Sequence, residues 1–398
     1  MIIGYNNTGY STRRSIIGAV SDVDYKRVRD MYWLGWRALA GFNKLVSNKF
    51  SANAVNLRHS FNDFGSSKVD VMHLFNAISY GRTPWISTFE TIIPRFNTTL
   101  SFSQRGLAEN SGYPQNEDLL YVLDTLSSVP CKRLIALSKC NFDMQKRFLE
   151  TFPQDTSDIE KKLMYLHPPQ KKHLDTFSDK NLVSKKIIHF MMVGNAFFRK
   201  GGMEILNAFV QAKEQNGYEL KLTIVSSLSM DYYAAHETEA DVEKAKKLIA
   251  SNSSWIDYYH HLPNHQVLDL MKAAHVGLLP TYADTYGYSV LEFQSCGCPV
   301  ISTNVRAQGE INNDNVGWLI NVPKNELGEA FYNTKAEREM IKSIIESEIV
   351  RIIDEIMNDT GLIENKSNSA LNRLEVQHSP ALFESNLKRI YHDSFYNT

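Results

Sequence analysis

The stretch that decides the fold begins Val276-Gly277-Leu278-Leu279-Pro280 and passes through Thr281-Tyr282-Ala283-Asp284-Thr285-Tyr286-Gly287-Tyr288. It continues Ser289-Val290-Leu291-Glu292-Phe293-Gln294-Ser295-Cys296 and closes on Gly297-Cys298-Pro299-Val300-Ile301-Ser302. A short apolar run, a turn-rich loop, a short helical stretch and a second apolar run read as strand, loop, helix, strand. That is the repeating unit of a parallel sheet. Short continuous apolar runs fit strands buried on both faces.

The rhythm extends in both directions. Upstream, 187–193 and 220–225 read as strands, with a loop ending at Lys200-Gly201-Gly202 and a helical pattern over 203–214. In the first half, 69–75, 84–89, 133–138 and 163–166 read the same way, with room for crossover helices between them. Over 167–186 the pattern breaks: Pro168-Pro169 bars a helix and a polar run without period follows, so this segment reads as a linker. The expectation is an α/β protein with two Rossmann-like units and a cleft between them. The first unit spans 1–175 and the second 185–379. Leu382, Phe383, Leu387, Ile390 and Tyr391 recur at helical spacing over 380–398, which predicts a terminal helix packing back toward the first unit.

Composition agrees with two domains. The chain has 398 residues, 43% of them hydrophobic and 22% charged, enough for packed cores and too apolar for wholesale disorder. Four cysteines are too few for a disulfide framework and lack zinc-site spacing, so a reducing cytoplasm fits. No apolar run reaches spanning length, and the N-terminus lacks the layout of a signal peptide. Residues 1–180 carry 23 Lys and Arg against 17 acids, whereas 181–398 carry 20 against 27. Neither half holds a strongly basic stripe, so nucleic acid is not expected as a partner. Over 25–50, Lys26, Arg27, Arg29, Arg37, Lys44 and Lys49 interleave with Tyr32, Trp33, Leu34, Trp36 and Phe42, a pattern that fits an anionic membrane surface or a core helix with basic flanks.

Ligands of parallel sheets bind beyond the carboxyl ends of strands. The loop 281–288 occupies such an end and opens a helix, whose free N–H groups and positive dipole end suit a diphosphate. On this reading Gly287 admits a close backbone approach, the 286–289 amides of Tyr286, Gly287, Tyr288 and Ser289 face the anion, and Glu292 lies in the first helical turn. The same residues admit a purely structural account, because Ser289-Val290-Leu291-Glu292 has the spacing of a capping box. The turn Gly194-Asn195-Ala196-Phe197-Phe198-Arg199 is not Gly-x-Gly-x-x-Gly, which disfavours a dinucleotide-dependent oxidoreductase. His73, alone inside a strand, reads as a core residue, and Ser138 follows a strand end.

Two segments resemble the signature of glycosyltransferase family 4, retaining enzymes with the GT-B fold. One is the acidic pair Asp284 and Glu292 around Tyr286-Gly287-Tyr288, followed by Cys296-Gly297-Cys298-Pro299-Val300-Ile301. The other is Val193-Gly194-Asn195-Ala196-Phe197-Phe198-Arg199-Lys200-Gly201-Gly202. The likeness covers roughly 185–325 and departs from the pattern where Asp284 replaces Glu and Asn195 replaces Arg. The resemblance implies a retaining transfer from a UDP- or GDP-sugar, without a metal or other cofactor, to a glycan or lipid-linked acceptor in bacterial surface polysaccharide assembly. It implies Glu292 on the ribose, Lys200 and Arg199 with Gly194 and Asn195 at the diphosphate, and Asp284 on the transferred sugar. Glu90, at the end of the strand 84–89, stands where the family's acceptor-side residue is expected. The location implied is cytoplasmic, peripheral at the inner face of the membrane with contact through 25–50. A non-catalytic carbohydrate-binding subunit and another sugar-nucleotide enzyme, such as an epimerase, are the alternatives.

Overall fold

A computed structural model of the chain describes residues 1–46, 56–96, 99, 116–180, 182, 187–230 and 232–396. Residues 47–50 of the basic aromatic stretch, 181 and 183–186 of the expected linker, and 397–398 lie outside them. The chain divides into two compact units, Met1–Pro169 with His378–Thr398, and Gln170–Gln377.

In the first unit the strands are β1 (Ile2–Tyr5), β2 (Asp24–Arg27), β3 (Ser60–Phe61), β4 (Val71–Phe75), β5 (Ile78–Ser79), β6 (Trp85–Phe89), β7 (Cys131–Ala136) and β8 (Leu163–Tyr165). Six form a parallel sheet in the order β2-β1-β4-β6-β7-β8, and β3 pairs with β5 in a small parallel sheet. Ile3, Val71, Ile86 and Ile135 contribute one residue each from β1, β4, β6 and β7 to a core completed by Phe383, Leu387, Ile390 and Tyr391 of the helix Pro380–Tyr396. The terminal helix thus covers a face of this sheet, as its apolar spacing requires. His73 is a satisfied core residue: its Nδ1 lies 2.8 Å from Tyr391 Oη and its Nε2 2.8 Å from Thr88 Oγ1. Complete burial pushes its pKa down to about 3, so the ring is neutral. Ser138 is wholly buried and caps the helix Lys139–Leu149 by accepting from Asn141 N–H at 3.1 Å.

The second unit holds β9 (Ile188–Val193), β10 (Leu220–Val225), β11 (Ile256–Tyr259), β12 (Val276–Leu279), β13 (Val300–Thr303) and β14 (Gly317–Ile320). All are parallel, in the order β11-β10-β9-β12-β13-β14. Numbered within the unit, this is the 3-2-1-4-5-6 order of a dinucleotide-type sheet, with its switch point between β9 and β12. Phe190, Met192, Leu222, Ile224, Val276 and Leu278 fill the sheet's core. Ile341, Ile345, Ile349, Ile352, Ile353 and Ile356 line the buried side of the long helix Lys335–Asn358, begun by a capping box between Thr334 and Glu337. Residues 170–180 are docked here rather than forming a loose linker. His173 N–H donates to Ser295 O at 2.8 Å, Phe177 N–H to Asn368 Oδ1 at 2.9 Å, and the buried Lys180 ammonium to Cys296 O at 2.6 Å. Lys180 therefore satisfies a carbonyl at the C-terminal end of the helix Tyr288–Ser295, where a cation is favoured.

Candidate functional site

Two loops leave the carboxyl ends of β9 and β12, the strands that flank the switch point of the second sheet. They are tied together at several points. Tyr282 N–H donates to Arg199 O at 2.9 Å, Thr281 Oγ1 to the same carbonyl at 3.1 Å, and the Arg199 guanidinium to Ala283 O at 2.8 Å. Arg199 also stands 5.8 Å above the Tyr233 ring. It thus serves as a strut between the loops. Lys200 Nζ lies 3.2 Å from Asp284 Oδ2, with only 13% and 14% of the two side chains exposed. Gly194 makes room for this lysine. At its φ of +137°, an added Cβ would stand 2.9 Å from Lys200 Nζ. Asn195, next in the chain, is exposed.

Asp284 does two jobs. Its Oδ2 pairs with Lys200, and its Oδ1 accepts from Tyr286 N–H at 3.3 Å and Gly287 N–H at 3.1 Å. Burial opposes ionisation of this carboxyl. The charges of Lys200 and Arg199, with the hydrogen bonds from Lys200 and the Tyr286 amide, outweigh it and hold the group below its usual range. Two of the four amides expected to face an anion, those of Tyr286 and Gly287, are therefore taken by Asp284.

The helix Tyr288–Ser295 starts after Gly287, which sits in the left-handed region at φ +86° with no side-chain cap. A Cβ on Gly287 would come within 1.9 Å of Gln308 Nε2, and that amide donates to Tyr286 O at 3.1 Å. Ser289 lies inside the helix, so the capping box with Glu292 does not form. Glu292 is the fifth helical residue and belongs to the second turn, not the first; the Ser-x-x-Glu spacing imitated a cap two residues too late. It is half-buried, and its charge acts on His173, whose pKa is lowered by burial and by Lys272 and Lys171 against the pull of Glu292. Ser289 Oγ is buried and has no hydrogen-bond partner among the described residues, beside the first turn of the helix. The Tyr288 ring packs on Tyr286 at 5.1 Å between centroids.

Thus Gly194, Asn195, Arg199, Lys200, Asp284, Tyr286, Gly287, Tyr288, Ser289 and Glu292 all belong to the two loops and the helix at this switch point. Glu90 belongs to the other unit, just past β6. It pairs there with Arg95 and accepts from Asn76 Nδ2 at 3.2 Å. Gln308, which supports the Gly287 turn, and Arg373, whose charge interacts with Tyr286, carry no local sequence signal, because their partners are distant in the chain. Beneath the site, Tyr282 Oη donates to Glu204 Oε1 at 2.9 Å, and burial pushes the Glu204 carboxyl up to about 7.

Residues 175–348 match the model for glycosyl transferases group 1. The O-antigen chain mannosyltransferase B of Escherichia coli is 31% identical over 64 residues, 16% of this chain and 17% of that protein. The match therefore spans about a sixth of that relative's length. Among solved structures, the chain is similar to a glycosyltransferase from Rickettsia africae ESF-5, with a TM-score of 0.56 and 15% identity over 100% of this chain and 90% of the other. It is similar to WaaG, a glycosyltransferase involved in lipopolysaccharide biosynthesis, at 0.57 and 15% over 98% and 99%. It is also similar to HepE of Anabaena in complex with UDP and glucose, at 0.58 and 11% over 98% of each chain. At such identities the likeness is one of fold. The chain has the GT-B fold, and its residues 175–348 match the model for glycosyl transferases group 1, a likeness consistent with a glycosyltransferase of the family-4 type.

Proposed function

We propose that this chain is a retaining glycosyltransferase that moves a sugar from a UDP- or GDP-sugar to a glycan or lipid-linked acceptor in bacterial surface polysaccharide assembly. The observation that carries the reading is the Lys200–Asp284 pair, which joins the two loops at the switch point of the second sheet. The names of the relatives, an O-antigen mannosyltransferase and a lipopolysaccharide glycosyltransferase, support the substrate class. UDP and glucose in the Anabaena neighbour support the donor class.

In this reading Lys200 and the positive end of the helix Tyr288–Ser295 take the donor diphosphate, and Ser289 supplies a hydroxyl to it. Glu292, one turn further on, takes the ribose diol. Asp284 orients Lys200 and the Gly287 turn. Its remaining lone pairs accept from the transferred sugar. The acceptor oxygen bonds to the anomeric carbon on the face from which the diphosphate oxygen leaves, and its proton passes to that leaving phosphate. Glu90 aligns the acceptor hydroxyl. The charge growing on the diphosphate is met by Lys200 and the helix, and this scheme calls for no metal ion. The helix Met31–Leu45 leaves Trp33, Leu34, Phe42 and Leu45 exposed beside Arg37 and Lys44, which supports contact with an anionic membrane surface. No described helix is long and apolar enough to cross a membrane.

The test is a thermal-shift panel of UDP- and GDP-sugars on wild type and Glu292→Ala. A ligand at one hundred times its Kd stabilises by about 2.7 kcal/mol, so one donor should stand out on wild type and lose most of its effect on the variant. A panel in which no nucleotide sugar shifts wild type contradicts the proposal.

A further inference from the structure

The first sheet has a switch point of its own. β1 pairs with β2 on one side and β4 on the other, so the carboxyl ends of these three strands border a crevice. A cavity of about 990 Å³ lies there, lined by Asn6 after β1, Arg29 after β2 and Asn76 after β4. That volume suits a ligand of sugar-phosphate size or larger.

Its electrostatics are one-sided. Arg27, Arg29 and Arg58 line it, and among the described residues none of them forms an ion pair. The one described carboxylate in the lining, Asp30, is buried and occupied. Its Oδ1 accepts from Tyr32 N–H at 3.0 Å and Trp33 N–H at 3.2 Å, and its Oδ2 from Asn6 Nδ2 at 3.3 Å. It therefore begins the helix Met31–Leu45 and, among the described residues, pairs with none of the three arginines, which leaves three cations in the lining against one carboxyl group. His59 in the wall places its Nδ1 3.0 Å from Asn76 O. Burial and repulsion from Arg95 and Arg58 push its pKa down to about 4. Trp33 and Leu34 give the cavity an apolar side. Asn76 links it to Glu90, accepting from Glu90 N–H at 3.1 Å while its amide donates to the Glu90 carboxylate.

We propose that this cavity binds the acceptor and that the acceptor carries a phosphate group, held by Arg27, Arg29 and Arg58 with Trp33 and Leu34 against its apolar or ring face. Guanidinium groups match phosphate in geometry and charge, and three of them exceed what a neutral glycan needs. The term acceptor rests on the glycosyl-transfer reading; the phosphate site rests on the cavity alone.

The test is calorimetric titration of the full chain with phenyl phosphate at low and high salt. The expected result is measurable binding that weakens with salt and loses at least tenfold in affinity in Arg27→Ala/Arg58→Ala. Arg58→Lys should retain part of it. Unchanged binding in the double variant overturns the proposal. Mannose 6-phosphate against mannose, and dihexanoyl phosphatidic acid against dihexanoylglycerol, separate a sugar phosphate from a lipid phosphate. Preference for either phosphorylated form supports the proposal, and preference for neither overturns it. Nucleotide-sugar titration on the same variants keeps the two readings apart. Arginine-dependent phosphate binding without any donor binding sinks the transferase reading and leaves the cavity's role intact.

Discussion

Lys200 Nζ and Asp284 Oδ2 lie 3.2 Å apart although 84 residues separate them in the chain, and both side chains are mostly withdrawn from water. Removing either partner leaves a charge that burial penalises, so each single change should cost on the order of 3 kcal/mol. Lys200→Met with Asp284→Asn should cost less than the two singles together, which a double-mutant cycle by denaturant unfolding measures. Because Asp284 titrates below its unfolded value, its contribution is present above the unfolded pKa and fades as pH falls through the folded one. Lys200→Met should therefore flatten the acid limb of the stability curve, with no change in slope near pH 7 traceable to Asp284.

Glu204 has the opposite sign. Its carboxyl is raised from 4.5 to about 7 by burial, so the folded state holds a proton the unfolded chain has released. Its contribution to stability is greatest below the unfolded pKa, declines as pH rises from about 4.5 to about 7, and is flat above. Glu204→Gln keeps an acceptor for Tyr282 Oη and carries no charge. It should remove this slope and raise stability at pH 8 by on the order of 2 kcal/mol, read by chemical denaturation across pH.

Gly287→Ala should disturb the turn without touching either charged partner. A side chain at φ +86° is strained, and its Cβ collides with the Gln308 amide. The expected loss is about 1–3 kcal/mol in stability, with at least tenfold weaker nucleotide-sugar binding. Gln308→Ala should relieve the collision but lose the bond to Tyr286 O, so the double variant should regain stability more than affinity. Parallel unfolding and calorimetric titration separate the two.

Most strands inside the two sheets were legible because burial on two faces leaves continuous apolar runs such as Val276-Gly277-Leu278-Leu279, although β1 at Ile2–Tyr5 was not. Of the edge strands, β8 was read, whereas β2 and β11 were not. β2 lies inside a stretch dominated by Lys26, Arg27 and Arg29, and β11 mixes Asp257 with tyrosines, because a sheet edge tolerates polar side chains. Lys200 and Asp284 were each identifiable as candidates, but their pairing is a tertiary contact that local pattern does not encode. The loop 281–288 does open the helix, at Tyr288, but Glu292 was set in the first turn and lies in the second. Here Gly287 supplies the left-handed turn, and Asp284 takes the amides of Tyr286 and Gly287 just ahead of the first helical residue. The docking of 170–180 was hidden by Pro168-Pro169, which marks an extended backbone without saying what it packs on.

The helix Met31–Leu45 carries a separate expectation. Phe42 and Leu45 are 50% and 83% exposed, next to Lys44. Wild type should co-sediment with vesicles containing anionic phospholipid and much less with neutral ones. Phe42→Ser/Leu45→Ser should lower the bound fraction severalfold while leaving the thermal midpoint within a few degrees. Equal sedimentation of wild type and variant removes this helix from the membrane account.

The most direct measurement is calorimetric titration of wild type and Lys200→Ala with the nucleotide sugar that most stabilises the wild type. A charge-assisted contact to a diphosphate contributes about 1.5–3 kcal/mol, so the variant should bind at least tenfold more weakly while retaining a folded second unit. Equal affinity for the two proteins would mean that the loops joined by Lys200 and Asp284 do not hold the donor, and the proposed site would be wrong.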